Sequence, residues 1–188
     1  MTRFPTIEPD RYSPEQRQVV DTIVKGPREA LRGPFPALLH VPPLADAVQN
    51  LGTYLRFKVS LPPALKEFTI LITGRFWGAQ YEWYAHSALA LAGGLDPAII
   101  EQLGRGEHPK GMTEEQEAVY AFCRELHVDH EVSDATFARA EAKFGRRGVL
   151  EIIGLSGYYT LVSMVLNTAR VPLPADGTPL QPIDGLKP

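Results

Sequence analysis

The chain has 188 residues, of which 44% are hydrophobic, and carries a formal net charge of −3. Such a chain is long enough to bury one ordinary core, and it is too apolar to be disordered. It lacks the basic excess of a nucleic-acid binder and the polybasic run of a membrane-surface anchor.

The first residues, MTRFPTIEPDRYSPEQ, contain no apolar signal-peptide segment, and residues 1–12 read as a proline-containing arm. Ser13-Pro14-Glu15-Gln16 then supplies an N-cap serine, a proline at the first helical position and a glutamine at N3. Val19, Val20, Ile23 and Val24 follow at helical spacing. Leu44, Val48, Leu51 and Leu55 predict a second amphipathic helix, and Leu65, Phe68, Ile72 and Phe76 a third. Gly78 marks a break. The next helix spans AQYEWYAHSALALAGG and stops at Gly93-Gly94.

Asp96-Pro97 caps a short helix. Thr113-Glu114-Glu115-Gln116 is a second capping box, leading into Val119, Phe122 and Leu126. Ser133 caps DATFARAEAKFG, and a last helix is predicted from about Arg146 to about Arg170. Its longest uncharged run, Ile152 to Leu166, is shorter than the ~20 residues of a spanning helix, so it reads as buried in the core or at a subunit interface. Residues 171–188 are rich in proline and read as an extended arm, lying on this subunit or on a neighbour, or free. No run alternates with period two. The expectation is therefore an all-α single domain over 13–170 with about seven or eight helices, at a cytoplasmic address.

The chemistry-bearing stretch is QYEWYAH. Glu82 and His86 lie one helical turn apart and share a face. If Arg75 to Gly78 forms a helical hairpin turn, Glu67 and His86 stand equally far from it and meet across two antiparallel helices. Two carboxylates and an imidazole would then share an apolar interior, where burial and neighbouring charge tune groups to give and take protons near neutrality. Arg75 is a candidate to hold a substrate carboxylate, with Arg56 a more distant one. Trp77, Tyr81, Trp83 and Tyr84 are candidate pocket walls. On spacing alone, an exposed ion pair at Glu82 and His86 and aromatic core residues are the plainer readings.

The segment from about Gly33 to Val171 resembles the carboxymuconolactone decarboxylase family of the alkyl hydroperoxidase D-like superfamily. The resemblance rests on GPFPALLHVPPLA, YLRF, LPPALKEFTILITGRFWGAQYEWYAHSALALAGGL and GYYTLVSMVLNTARVPLP. It implies a helical bundle and a homo-oligomer, a trimer or a hexamer built from trimers. It also implies a Glu–His proton relay at Glu67, Glu82 and His86, with no metal and no organic cofactor. In the peroxidase branch of the superfamily, a Cys-x-x-Cys pair lies between the equivalents of Glu67 and His86. Those two positions here hold Ala79 and Glu82. The only cysteine, Cys123, cannot form a dithiol by itself, so cysteine-based hydroperoxide reduction is the least expected activity.

The leading expectation is a decarboxylase acting on a small carboxylated lactone or oxo-acid from aromatic breakdown. His86 would carry the proton delivered to carbon, and the conjugated substrate would act as electron sink. A hydratase, isomerase or lactone-opening enzyme could use the same pocket. A non-catalytic ligand-binding or assembly protein is the reading from another class.

Other residues read more plainly. His127, Asp129, His130 and Glu131 lack a metal-ligand spacing and read as a solvated helix end. Glu67, Glu82 and His86 are legitimate ligand types for a divalent cation, but the proton relay is the preferred use. His108 reads as an exposed loop residue, Cys123 as buried and inert, and Gly145–Gly148 as a helix entrance with exposed charge. Asn167 and Tyr158 fall on the apolar last helix, where a buried Asn needs partners.

Overall fold

The computed structural model describes residues 2–182. After a short 3₁₀ turn at Pro9–Arg11 come eight α-helices: α1 (Pro14–Lys25), α2 (Phe35–Leu38), α3 (Pro42–Phe57), α4 (Pro63–Phe76), α5 (Gln80–Ala92), α6 (Pro97–Gly104), α7 (Glu114–Val128) and α8 (Asp134–Ala169). There is no strand among the described residues.

The helix starts follow the capping signals. Ser13 and Thr113 each accept from the backbone N–H three residues on, and Gln16 and Gln116 return the bond to the cap. Asp96 and Ser133 cap α6 and α8 through their side chains. Such caps satisfy amides that the first helical turn leaves unpaired.

Helix α4 is the hub, packing against α5, α6, α7 and α8. Every residue from Glu67 to Arg75 is buried, which explains its weak amphipathicity. Phe68 and Leu71 on α4 meet Val119 and Phe122 on α7 and Ile152 and Leu155 on α8 in one core. Helix α8 is interrupted at Gly145, whose φ of 63° lies in the left-handed region. A side chain is strained there, so glycine divides α8 into the two helical segments expected from the sequence.

The stripe expected on α3 is rotated. Val48 and Leu55 are buried with Ala45 and Gly52, whereas Leu44 and Leu51 are exposed. The two leucines continue with Tyr54 and Phe57 into an apolar outer surface. Leu150, Ile153, Leu161 and Met164 form an exposed apolar row on α8. Among the described residues, helix α8 alone is long and apolar enough to cross a membrane, but 56% of its apolar window is buried inside the protein, as in a core helix.

Both arms lie on the domain. Thr2 Oγ1 and the Arg3 N–H each donate to the Ala169 carbonyl at 2.9 Å, closing the end of α8. The C-terminal arm runs back along α5. The Leu180 N–H donates to Gln80 Oε1 at 2.7 Å, and Gln80 Nε2 donates to the Leu180 carbonyl at 3.1 Å. Of the three expected courses for this arm, it takes the one on its own subunit; residues 183–188 lie outside the described residues.

Candidate active site

The α4–α5 hairpin builds the site. Gly78 has φ 56°, the left-handed conformation that ends a helix sharply. The Ala79 N–H donates to the Gly74 carbonyl at 2.9 Å. Two bonds from α8 hold the turn: Asn167 Nδ2 donates to the Trp77 carbonyl at 2.8 Å, and Trp77 Nε1 donates to Thr160 Oγ1 at 3.1 Å. Asn167 is therefore exposed and clamps the hairpin; it is not a buried packing residue.

With the turn fixed, Glu67 and His86 meet. His86 Nδ1–H donates to Glu67 Oε2 at 2.6 Å. His86 Nε2 lies 3.2 Å from Glu82 Oε2, an ion-pair distance without an aligned hydrogen bond. Lys66 Nζ approaches Glu67 Oε1 to 3.2 Å. Glu67, Glu82 and His86 are each only 4% exposed, so the pair one turn apart is not a solvated surface pair.

Burial opposes charge on this group. For His86 it pushes the pKa down, but the hydrogen bond to Glu67 and the charges of Glu67 and Glu82 outweigh it, and the pKa is raised above 6.5. For Glu67 burial pushes the pKa up, but His86 and Lys66 outweigh it, and the pKa falls below 4.5. Both shifts favour the charged forms, an imidazolium against a carboxylate, and make His86 a candidate proton donor held in low dielectric.

Glu82 and His86 open on a cavity of about 530 Å³. Tyr81 and Tyr84 of α5 line it, as does Arg56 of α3. Two further sides come from residues not singled out for the site: Arg28 and Arg32 from the α1–α2 loop, and Tyr158 with Tyr159 from α8. Arg28 Nη2 donates to Tyr158 Oη at 3.2 Å, and the guanidinium lies 4.8 Å over the Phe35 ring. None of the three arginines forms an ion pair among the described residues. A wall of uncompensated guanidinium groups suits a small anion, which arginine grips through paired N–H donors. Gly52 of α3 makes room for this wall, since a Cβ there would overlap Tyr158 Oη and Arg28 Nη2.

Arg75 and Trp83 lie elsewhere. Arg75 is 5% exposed and does not line the cavity; its Nε and Nη2 have no hydrogen-bond partner among the described residues, and burial lowers its pKa. Trp83 faces a second hollow of about 470 Å³, with Ile100, Gly104 and the arm residues Pro179 and Leu180. Trp77 lines neither; its indole is spent on Thr160. Arg28 and Arg32 escaped the sequence reading because they sit in an irregular loop, KGPREALRG, where periodicity carries no information. Tyr159 was hidden in an apolar helix, and only the tyrosine pair itself could have flagged it.

His127 also departs from expectation. It is buried, stacked on Phe76 with ring centroids 5.0 Å apart, and its Nε2–H donates to Thr73 Oγ1 at 3.0 Å. Burial and the charge of His130 push its pKa down to about 4. Cys123 is wholly buried beside Ser156, and burial pushes its thiol up to about 12. No cluster of three or more His, Cys, Asp or Glu side chains with metal-binding geometry occurs among the described residues.

No protein-family model and no curated protein matches the chain. Solved structures do. A protein from Ralstonia eutropha, described as an uncharacterized peroxidase-related protein with an alkylhydroperoxidase AhpD core, superposes with a TM-score of 0.74 at 20% identity, covering 98% of this chain and 94% of that one. An uncharacterized peroxidase-related protein from a Silicibacter species gives 0.72 at 15% identity, covering 93% and 92%. A protein of unknown function from Agrobacterium tumefaciens, described as a putative antioxidant defence protein AhpD, gives 0.63 at 17% identity, covering 77% of this chain and all of that one. At these identities the likeness is one of fold, and the fold of this chain is the all-α, alkylhydroperoxidase D-like helical bundle.

Proposed function

We propose that the protein is a proton-transfer enzyme of the carboxymuconolactone decarboxylase type, acting on a small carboxylated lactone or a related oxo-acid. One observation carries the reading. The buried Glu67–His86–Glu82 line opens on a cavity whose other wall holds Arg28, Arg32 and Arg56 without acidic partners. The arginines supply a binding site for a carboxylate, and His86 supplies a proton beside it.

Decarboxylation needs both. The carbon–carboxylate bond breaks and leaves its electron pair in the conjugated substrate. A proton then goes to carbon, and an imidazolium with a raised pKa is suited to deliver it. Glu67 holds the ring in one orientation and one charge state through Nδ1, leaving Nε2 toward Glu82 and the cavity. Hydration, isomerisation and lactone opening draw on the same proton chemistry. The substrate screen separates them by product.

The structural neighbours are described as peroxidase-related or antioxidant. A cysteine-based peroxidase reading has little support in this chain. Ala79 and Glu82 stand where that chemistry needs thiols, and Cys123 is buried, carries a raised pKa and does not line the cavity. Peroxide turnover abolished by Cys123→Ser would reverse that judgement.

The test is a screen of carboxylated lactones and oxo-acids for release of carbon dioxide. Wild type should release it, and His86→Ala should not. Equal rates in the two would end the relay mechanism, and no turnover of any member would end the decarboxylase reading.

A homo-oligomer, a trimer or a hexamer built from trimers, belongs to the same proposal. The exposed apolar rows on α3 and α8 support it, because apolar patches of this kind mark association surfaces. A monomeric mass by light scattering at micromolar concentration would overturn it.

A further inference from the structure

Two buried polar atoms on residues that line the cavity, Arg28 Nε and Tyr159 Oη, have no hydrogen-bond partner among the described residues, and neither faces an ion-pair partner as Glu82 Oε2 faces His86 Nε2. Leaving a buried polar atom unpaired costs roughly 1–3 kcal/mol. Two unspent donors on one cavity point to an acceptor on a ligand that pairs them.

The Arg28 Nε–H can only donate. The Tyr159 hydroxyl can do either, but burial raises its pKa well above 10.0, so it keeps its proton and is available as a donor. Its position is rigid. The Tyr159 ring stands edge-on to His86, with centroids 4.9 Å apart, and edge-on to Tyr158 at 5.2 Å. Tyr158 differs, since its hydroxyl is already bonded to Arg28 Nη2. Tyr159 is thus an unspent donor beside the imidazole that carries the proton.

We propose that the Tyr159 hydroxyl, with Arg28 Nε–H, is the catalytic donor pair that binds the substrate's carbonyl oxygen and holds the negative charge that develops there. The assignment rests on the proton-transfer reading above and adds a substrate requirement: the ligand carries a carbonyl conjugated to the reacting carbon, as well as its carboxylate. The step balances. Breaking the carbon–carboxylate bond releases carbon dioxide and sends the bonding pair to the carbonyl oxygen, which becomes an oxyanion accepting from Tyr159 and Arg28. The carbonyl re-forms as the pair returns to carbon and takes the proton of His86. One carboxylate and one proton enter, carbon dioxide and a C–H bond leave, and no oxidant or reductant takes part. Fixed donors in a water-poor site stabilise such charge far better than water does.

The probe for this site is 4-hydroxy-3-nitrobenzoate, which pairs a carboxylate with a phenol whose ionisation is visible by absorbance. Bound to wild type, its phenol should ionise at a pH at least one unit below that of the free compound. Tyr159→Phe should still bind the probe within about threefold and lose that shift, and in turnover it should cut kcat roughly hundredfold with little change in KM. Arg28→Lys, which keeps the charge and removes the Nε–H, should lose part of the same shift and guards against a Tyr159 variant that fails to fold. The same phenol ionisation in wild type and both variants, or no binding of the probe to wild type, overturns the assignment. Carbon dioxide release at the wild-type rate by Tyr159→Phe also overturns it and leaves the decarboxylase reading standing. An intact ionisation shift without turnover of any lactone or oxo-acid does the reverse.

Discussion

Glu67 Oε2 and His86 Nδ1 stand 2.6 Å apart, although 19 residues separate them in the chain. The contact joins the middle of α4 to the middle of α5, and its length marks a charge-assisted hydrogen bond. Each partner shifts the other toward its charged form, against the burial that both suffer. Glu67 is therefore a positioning residue for His86 as well as part of the hairpin.

Replacing Glu67 tests that coupling. Glu67→Gln removes the carboxylate and keeps an amide of similar size. The His86 pKa should fall, because burial then acts with less opposition, and the alkaline limb of the activity profile should move to lower pH. The stability effect has a defined sign. His86 contributes fully below its unfolded value near 6.5 and loses the contribution as pH rises through its raised folded value. Glu67 contributes fully above 4.5 and loses it as pH falls through its lowered value. The variant should therefore lose most between those limits, roughly 3 kcal/mol at about pH 5.5 by urea denaturation. An unmoved alkaline limb would separate Glu67 from the proton chemistry.

Gly52→Ala examines the arginine wall from behind. The new methyl overlaps Tyr158 Oη and Arg28 Nη2, and the tyrosine ring, fixed on α8, cannot yield as a lysine tip would. Arg28 should be pushed from its place over Phe35. The KM for a carboxylate substrate should rise about tenfold, and overpacking should cost about 1–3 kcal/mol of stability. Unchanged KM would mean that Arg28 is not part of the binding wall.

The hairpin could be read in the sequence because its signals are local. Pro62-Pro63 before α4 and Gly78 after it place Glu67 and His86 symmetrically about one turn. Of the arginine wall only Arg56 could be read, because Arg28 and Arg32 reach the cavity from a loop and Tyr158, the partner of Arg28, lies 130 residues away. The α3 stripe misled for a different reason. Leu44 and Leu51 have helical spacing with Val48 and Leu55 and fit a core face, yet packing turned the face of Ala45, Val48, Gly52 and Leu55 inward. His127 looked like a helix end exposed to water, but only tertiary contact with Thr73 and Phe76 decides its burial.

His127 gives the protein an acid-sensitive point away from the cavity. Its folded pKa of about 4 lies below the unfolded value of 6.5. The unfolded chain thus takes up this proton first, so His127 withdraws stability as pH falls from 6.5 toward 4. The loss is about 2 kcal/mol at pH 5. His127→Phe keeps the stack on Phe76 and removes the titration. Denaturation midpoints measured from pH 7 to pH 5 should fall less for the variant than for wild type. Parallel curves would place the acid sensitivity elsewhere.

Glu151 locks α8 to the α3–α4 connection without touching the cavity. It accepts from the Tyr54 hydroxyl at 2.9 Å, from the Ser60 N–H at 2.8 Å, from Ser60 Oγ at 2.6 Å and from Arg147 Nε at 3.0 Å. Glu151→Ala leaves these donors without their shared acceptor and should cost roughly 3 kcal/mol. Turnover per folded molecule should stay within about twofold of wild type. A large loss of activity at full stability would show that this network also positions Arg56 at the cavity.

The C-terminal arm brings a second carboxylate, besides Glu82, to a cavity that also holds three arginines. Asp176 lines the cavity and accepts from the Tyr84 hydroxyl at 2.9 Å and 3.1 Å through its two oxygens. A carboxylate there weakens the attraction of Arg28, Arg32 and Arg56 for an incoming anion. Asp176→Asn keeps an acceptor for Tyr84 and removes the charge. Anion affinity should rise about threefold at low salt, and the gain should shrink as salt screens the rim. The twin bonds between Gln80 and Leu180 keep the arm in place in the variant, so the change reads charge and not loss of the arm. Isothermal titration with a small dicarboxylate at two ionic strengths checks it. Weaker binding would mean that Asp176 itself contacts the ligand, accepting a hydrogen bond that asparagine does not replace.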